Sequence, residues 1–425
     1  MTKQKIICGQ GRLSVELNLI KAENFRIEGK TMQDLLLVGI DGGATKVSGW
    51  QVIPDESNGT FRLGKSNSSK SYKEIPGFLP NFIPVSVPEQ ISQRDAGNIQ
   101  LTYAENLQEA VYVEACAQVI KDLHEKNRGK KILVGIGMPG LKTEDRRGIC
   151  VLANGPRMLH YGDKLEERLG QRDLELLTPV HHLGSDADYC GIGENYATDG
   201  LFRNVQNAYY LGGGTGVADA MKLNDKLLPF DAMKDWLAKT WEMKSADGRS
   251  LERFTSVGGM QAVYAEISGK EVSELNEQNI YPLQIAKLAA EGDGAARQMI
   301  ELAIENLSLL LFERIISLYS GSKGIFEFGN PNRPALNTQH PYLGNVFDNM
   351  IIGQRLGELF DSDSGKQVLR KPIIKKLEAL ISHSTSLDDE AKKHYANLDN
   401  IIKTSKLREA PALGAGIDAY LTYKG

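Results

Sequence analysis

Cysteine is scarce in this chain, and its few copies are badly spaced for stapling. Cys8, Cys116, Cys150 and Cys190 lie far apart and form no CxxC pair, so neither a disulfide framework nor a zinc site is suggested. Long apolar runs are missing as well. No stretch of about 18 or more apolar residues exists to span a bilayer, and the opening MTKQKIICGQGRL has too short an apolar stretch for a signal peptide. An excess of basic charge is also absent: 50 Lys and Arg stand against 54 Asp and Glu, a formal net charge of -4. The basic residues are mixed with acids instead of forming a stripe, which argues against a nucleic-acid surface. Two nucleotide motifs are lacking, the GxxxxGK[ST] loop and a GxGxxG followed by an acidic residue about 20 positions on, which demotes P-loop enzymes and Rossmann dehydrogenases. No HxxxH or HExxH offers a metal site. The expectation is a soluble, cytoplasmic protein with no membrane and no nucleic-acid partner.

What is present reads as α/β grammar in a chain of 425 residues, long enough for two domains with their own cores. Residues 1–34 read as a small strand-like extension. The strand LLLVGI, the turn DGGATK and the strand VSGWQVI follow. The stretch from Pro54 to about Asn106 is rich in Ser, Pro, Asn, Gly and Lys and reads as a long excursion or lid. Apolar residues at Leu107, Val111, Ala115, Val119, Ile120 and Leu123 predict a helix that feeds the buried strand KILVGIGMPG. The pattern then restarts with strand TPVHHLGSD, helix DYCGIGENYA, strand NAYYLGGG, further helices, strand GIFEFGN and a terminal helix APALGAGIDAYL. Two α/β lobes are predicted, 35–180 joined by 410–425, and 181–409. Two Gly-rich turns, one per lobe, hint at an ancient duplication. The amphipathic stretch Glu305 to Tyr319 could serve a core or a homodimer face.

Three segments carry candidate chemistry. Asp41 follows an apolar strand and precedes Gly42 and Gly43, where backbone N–H groups can approach phosphate without a Cβ in the way. Thr45 and Lys46 add a hydroxyl and a cation, and Asp41 could hold Mg²⁺ through water. The plain alternative is a hairpin turn, for which Asp-Gly is a common choice. A second cradle, LGGGTGVADA, places Gly213, Gly214, Thr215 and Gly216 after another strand, with a β-bulge or flexible loop as its alternative. Between the two lies GSDADYCGIGE, in which Asp186 closes a strand and opens a helix. Phosphoryl transfer to a hydroxyl needs one carboxylate within reach of the attacking oxygen. Asp186 is the candidate base, and a helix N-cap is its structural alternative.

In this order the motifs resemble the ROK family of sugar kinases and sugar-responsive repressors, from Leu35 nearly to the C-terminus. The resemblance implies the two-lobed sugar-kinase/Hsp70/actin fold, which is ribonuclease H-like, with ATP, Mg²⁺ and a sugar in the cleft. DGGATK resembles the first phosphate motif of the family and GGGTG the second. VGIGMPGLKTEDRRGICVLANGPRM resembles its Pro-Gly turn and Asn-x-Pro stretch, which implies sugar contacts from Gly140 and Asn154. SDAD stands where the family writes NDAN, so the catalytic aspartate carries over onto Asp186 and its sugar-binding neighbour becomes Ser185. Trp241-Glu242 and SLERFTS imply sugar contacts from Glu242 and Glu252. FEFGN and APALGAG look like the adenosine side, through Gly329 and Gly414. The family's cysteine cluster is absent: only MKSADGRSL separates Glu242 from Glu252, so no structural zinc is expected.

The function implied is ATP-dependent phosphorylation of a hexose or hexosamine, glucokinase-like. The alternative is a catalytically weak or inactive ROK-like sugar-binding or regulatory protein. A repressor would add a helix-turn-helix, and the residues before Leu35 are short, strand-like and not basic.

Overall fold

The computed structural model describes residues 34–425. These form two compact units, residues 34–198 with 410–425, and residues 199–409. The extension predicted over 1–34 lies, apart from Asp34, outside the described residues. Among the described residues no helix is long and apolar enough to cross a membrane.

The first unit is built on seven strands: β1 (Leu35–Gly42), β2 (Lys46–Asp55), β3 (Thr60–Ser71), β4 (Lys131–Gly137), β5 (Leu141–Lys142), β6 (Ile149–Val151) and β7 (Leu183–Gly184). Five make one sheet in the order β3-β2-β1-β4-β7. β1 begins with six consecutive buried residues, the pattern of a strand covered on both faces and paired in parallel. Its partner is β4, in register from Leu35 opposite Lys131 to Asp41 opposite Gly137. The segment read as an excursion or lid instead supplies β3, twelve residues long and antiparallel to β2. Its polar composition suits an edge strand, and its serines are tied down: Ser68 donates to Asp122 at 2.7 Å and Ser69 to the Val47 carbonyl at 3.2 Å.

The two faces of this sheet are covered differently. Leu36, Val38 and Ile40 share a core with Val111, Ala115, Val119 and Leu123 of the helix Tyr103–Glu125. Side chains alternate along a strand, so Gly39 and its register partner Gly135 face the other way. A Cβ on Gly39 would lie 1.8 Å from the Ala412 carbonyl oxygen, and one on Gly135 would lie 1.8 Å from that of Ala415. The helix Ala410–Lys424 therefore rests on bare backbone. Its own Gly414 approaches the next layer as closely, since a Cβ there would lie 1.9 Å from the Tyr189 carbonyl oxygen in the helix Asp186–Tyr196. These contacts, with β7 paired to β4, place 181–198 in the first unit. The boundary falls after Thr198, later than the predicted 180.

The chain leaves β4 through Pro139 and Gly140, and Gly140 has a φ of +89°. A Cβ there would also stand 2.3 Å from the Val151 carbonyl oxygen, so the turn lies tight on β6. Beyond β6, buried Gln90 accepts the Leu152 N–H at 2.8 Å and donates to its carbonyl at 3.0 Å. Arg157 is 0% exposed. It binds both oxygens of Glu105, at 2.6 and 2.8 Å, and donates to Gln93 at 2.6 Å and to the Gln100 carbonyl at 2.9 Å. Burial alone would raise the Glu105 carboxyl, but the hydrogen bonds and charge of Arg157 and the Thr102 N–H hold it below the ordinary glutamate range. Asn154 sits between these two clamps.

The second unit repeats the sheet. Its strands are β8 (Ala208–Gly213), β9 (Val217–Leu223), β10 (Lys226–Leu228), β11 (Met243–Lys244), β12 (Glu327–Phe328), β13 (Asn349–Gly353) and β14 (Ile402–Thr404). The order β10-β9-β8-β13-β14 has the same antiparallel and parallel sides as the first sheet. Only two residues of the predicted strand GIFEFGN are strand, and they pair with β11. The place beside β8 belongs to the more continuously buried β13. In the helix Gly294–Ser320, Leu307, Leu310, Leu311, Ile315, Ile316 and Leu318 are buried in the unit's core, so most of the Glu305–Tyr319 stretch is interior.

Two outcomes test this packing. Gly39→Ala should cost about 1–3 kcal/mol or more through overpacking, read as a lower Tm; an unchanged Tm would mean that the terminal helix does not lie so close. Arg157→Met should cost about 3–5 kcal/mol by leaving Glu105 buried without its partner, and adding Glu105→Leu should recover most of that loss. Because the folded Glu105 carboxyl is held low, its contribution is complete above the unfolded glutamate pKa and fades as pH falls through the folded value. Urea melts of wild type and Glu105→Gln should therefore converge on acidification.

Candidate functional site

Asp41 is half-buried near the end of β1, and the turn after it is held from the protein side. Tyr72 donates its hydroxyl to the Gly43 carbonyl at 3.1 Å, Tyr112 donates to that of Ala44 at 3.0 Å, and the Tyr72 N–H takes that of Thr45 at 3.1 Å. The two rings stack with centroids 3.7 Å apart. Burial above all, then the charges of Tyr112, Cys116 and Asp41, push the Tyr72 phenol well above its ordinary range, so it stays a donor. Ala44, Thr45 and Lys46 are exposed. The two glycines differ. A Cβ on Gly42 would strike the Met138 sulfur at 1.9 Å, whereas one on Gly43 would meet nothing closer than the Lys46 carbonyl at 3.5 Å. Packing accounts for Gly42 and leaves the glycine at 43 unexplained.

Along the same sheet edge Asp41 is paired with Gly137, and Gly137 with Gly184. Two strand spacings put Gly184 about 10 Å from Asp41. Two residues on, Asp186 is the first residue of the helix Asp186–Tyr196, whose N-cap is Ser185. The Ser185 hydroxyl makes no capping bond, and one oxygen of Asp186 accepts the Ala187 N–H at 3.0 Å. Asp186 thus serves one orphan N–H of the first helical turn, and its half-exposed carboxylate stands at the carboxyl edge of three parallel strands. That edge is where open α/β sheets bind ligands. His182 lies behind it, paired at 2.7 Å with Asp418, which also accepts from Tyr189 at 3.1 Å.

Gly140 and Ser185 follow within three residues of the strand ends at this edge. Gly140 begins the excursion that returns along β6, and Asn154 is exposed in the loop beyond it. The excursion is bound to β7 by the Arg146 carbonyl, which accepts the Leu183 N–H at 2.7 Å, and Arg146 itself has a φ of +58°. Gly414 is another matter. It is buried against the Tyr189 backbone, so its glycine serves helix packing, and the adenosine role assigned to it is withdrawn.

In the second unit Gly213 is likewise a packing glycine, since a Cβ would meet the Leu356 Cβ at 2.6 Å and the Thr255 carbonyl at 2.7 Å. Gly214, Thr215 and Gly216 form the turn between β8 and β9, with the Gly214 N–H bonded to the Gly216 carbonyl at 2.9 Å. Glu252 enters this same turn and accepts the Val217 N–H at 2.9 Å. An anion at Gly214–Gly216 would face that carboxylate, so it would need a cation beside it. Glu242 has both oxygens engaged, by the Lys239 N–H at 2.7 Å and by Arg333 at 3.4 Å. The Gly329 N–H donates to the Glu242 carbonyl at 2.7 Å, which joins a residue expected at the nucleotide to one expected at the sugar. Between Glu242 and Glu252 the loop is closed by charge. Asp247 binds Arg249 at 2.5 Å, and Arg249 reaches Glu266 at 3.0 Å. No group of three or more His, Cys, Asp or Glu placed to hold a metal occurs among the described residues.

Two residues were missed from sequence. Gln354 follows β13 in a left-handed conformation, φ +55°, a cost for a non-glycine residue, and its amide oxygen would lie 2.6 Å from a Cβ on Gly214. No sequence pattern marks it. Lys142 donates to the Met138 and Gly140 carbonyls at 2.7 and 2.8 Å. A lysine two residues after a Pro-Gly turn was the available signal.

No family model matches the chain, and no curated protein does either. Among solved structures, it is similar to a ROK family glucokinase from Streptomyces griseus, solved in complex with glucose and AMPPNP. The TM-score is 0.54 and the identity 15%, over 91% of this chain and 99% of that one. Glucokinase from Parabacteroides distasonis gives a TM-score of 0.52 at 14% identity, over 92% and 99%. A ROK family transcriptional regulator, a homolog of the E. coli MLC protein, gives 0.50 at 14%, over 92% and 81%. With its two α/β units of matching strand order, the chain has the mixed α/β fold of the ROK sugar kinases.

Proposed function

We propose that this chain transfers the γ-phosphoryl group of ATP to a hydroxyl of a hexose or hexosamine, with Asp186 as general base. The observation that carries the reading is the place of Asp186, the first residue of a helix, half-exposed on the sheet edge that also ends in Asp41. The glucose and AMPPNP bound by the Streptomyces glucokinase of the same fold support the choice of ligands.

The residues fit these parts. The Gly43 N–H is engaged by the Lys46 carbonyl at 2.9 Å, so with its carbonyls held by Tyr72 and Tyr112 the turn can offer the N–H groups of Ala44 and Thr45 to phosphate oxygens, and Thr45 and Lys46 add a hydroxyl and a cation. Asp41 would hold Mg²⁺ through water, and the ion would neutralise phosphate charge. The loop of Asn154 and the hydroxyl of Ser185 would contact the sugar. Asp186 accepts the proton of the attacking hydroxyl as the new oxygen–phosphorus bond forms and the bond to the ADP oxygen breaks. Glu242 is left out of the sugar site, because both of its oxygens are engaged.

A second reading is a sugar-binding regulatory protein with weak or no turnover. It is favoured by Ser185 in place of asparagine, by the engagement of Glu242, and by the regulator that shares the fold.

An ADP-release assay across hexoses and hexosamines should show stimulation by at least one sugar, while calorimetric sugar binding with no ADP release would select the second reading. Asp186→Asn should keep sugar affinity and lower kcat by roughly 10² to 10⁴; turnover near wild type would remove Asp186 from the role of base. Gly43→Val should change stability by no more than about 0.5 kcal/mol yet abolish ATP binding in calorimetry. Unchanged ATP affinity in that variant would take the turn out of the nucleotide site.

A further inference from the structure

Lys142 stands where two parts of the sugar side meet. It lies on β5, just beyond the Pro139–Gly140 turn, and its ammonium spans that turn by donating to the Met138 carbonyl at 2.7 Å and to the Gly140 carbonyl at 2.8 Å. The hairpin that carries it is fixed at three further points. Cys150 donates its thiol to the Lys142 carbonyl at 3.2 Å, and Thr143 and Gly148 close the tip through the Thr143 N–H at 3.0 Å. The Arg146 carbonyl holds Leu183 of β7, three residues before Asp186. The lysine is therefore on a rigid support, partly withdrawn from water, and the Met138 it grips donates its N–H to the Gly184 carbonyl at 3.2 Å, two residues before Asp186.

We propose that Lys142 is a positioning residue for Asp186: its ammonium fastens the Pro139–Gly140 turn, which Met138 ties to Gly184 two residues before Asp186, and supplies a positive charge that acts on the carboxylate. This rests on the reading of Asp186 as the base. Charge-assisted hydrogen bonds are roughly twice as strong as neutral ones, so the grip on the two carbonyls depends on the protonated form. The charged and titratable groups acting on Lys142 are Asp186 and Asp188 of the helix, Arg146 of its own hairpin and Cys150 of β6. Burial is the largest influence and pushes the ammonium down from 10.5 to about 8, with Asp186 the strongest of the charges that oppose the fall and Arg146 adding to it. The sign follows directly. Below about pH 8 the ammonium is present and the turn is clamped; above it the charge is lost, while an exposed lysine would remain charged.

The test pairs a readout that needs no turnover with one that does. In full-length protein carrying lysine-selective ¹³Cε label, the Lys142 resonance, assigned by its absence in Lys142→Arg, should titrate near pH 8. In Asp186→Asn that midpoint should move to lower pH, because the opposing charge has gone. With a sugar that supports ADP release, kcat should fall above about pH 8 in wild type. Lys142→Arg should carry activity past that point, since arginine keeps its charge, and Lys142→Met should lower kcat roughly tenfold or more with a smaller change in KM. Thermal melts of both variants confirm that they are folded. A Lys142 midpoint near that of free lysine, or one indifferent to Asp186→Asn, overturns the proposal whatever the activity. The expected titration with no sugar-dependent ADP release overturns the kinase reading alone. An alkaline limb that Lys142→Arg leaves in place overturns the positioning role.

Discussion

Much of the first unit depends on one steric condition, the absence of side chains where the helix Ala410–Lys424 crosses the central sheet. Gly39 on β1 and Gly135 on β4 sit side by side, and helix carbonyls occupy the space where their Cβ atoms would be. The same helix meets the backbone of the helix Asp186–Tyr196 through Gly414. Three layers are thus spaced by main chain, not by side chains, and the height of Asp186 above the sheet is set by that spacing. Interiors are close-packed and transmit strain, so a methyl group at any of the three glycines would be felt at the proposed base.

The repeated sheet gives the chain two turns of equivalent position, 43–45 after β1 and 214–216 after β8, and they have diverged in charge. The first is underpinned by two tyrosine hydroxyls that remain protonated and is followed by exposed Lys46. The second has the carboxylate of Glu252 in it. The first turn stands between the Asp41 carboxylate and exposed Lys46, whereas the charge at the second is the Glu252 carboxylate. The two glycine runs look alike as sequence, but only the first of them is followed directly by an exposed cation.

The parts legible in the sequence were those with a local physical signature. Six successive apolar residues announced β1, the spacing from Leu107 to Leu123 announced the helix Tyr103–Glu125, and Asp-Gly-Gly marked the turn. β3 was not legible, because an edge strand need cover only one face and can be written in serine, asparagine and lysine. The second parallel neighbour was misplaced for a related reason: GIFEFGN is the more aromatic segment, yet the short NMIIG is the one buried beside β8. The partners of Gly414, Glu242 and Glu252 were not legible, because each is distant in sequence. A glycine that admits a helix reads like a glycine that admits a phosphate, and a carboxylate facing a sugar reads like one facing Arg333. The place of Asp186 was legible because a strand end followed by a helix start confines a residue to one edge of a sheet.

The terminal helix also bears on the order in which the protein can be completed during synthesis. The second unit is contiguous, from Asp199 to Glu409, so all of its strands have been made before the first unit receives its last element. The first unit lacks residues 410–425 until the second unit has been made, and until then the Gly39 and Gly135 face of its sheet lacks the helix that covers it. Assembly of nascent chains usually runs from the N-terminus onward. Of the two units, the one begun earlier is the one closed later, and the support behind Asp186 arrives only with residues 410–425, after the whole of the second unit.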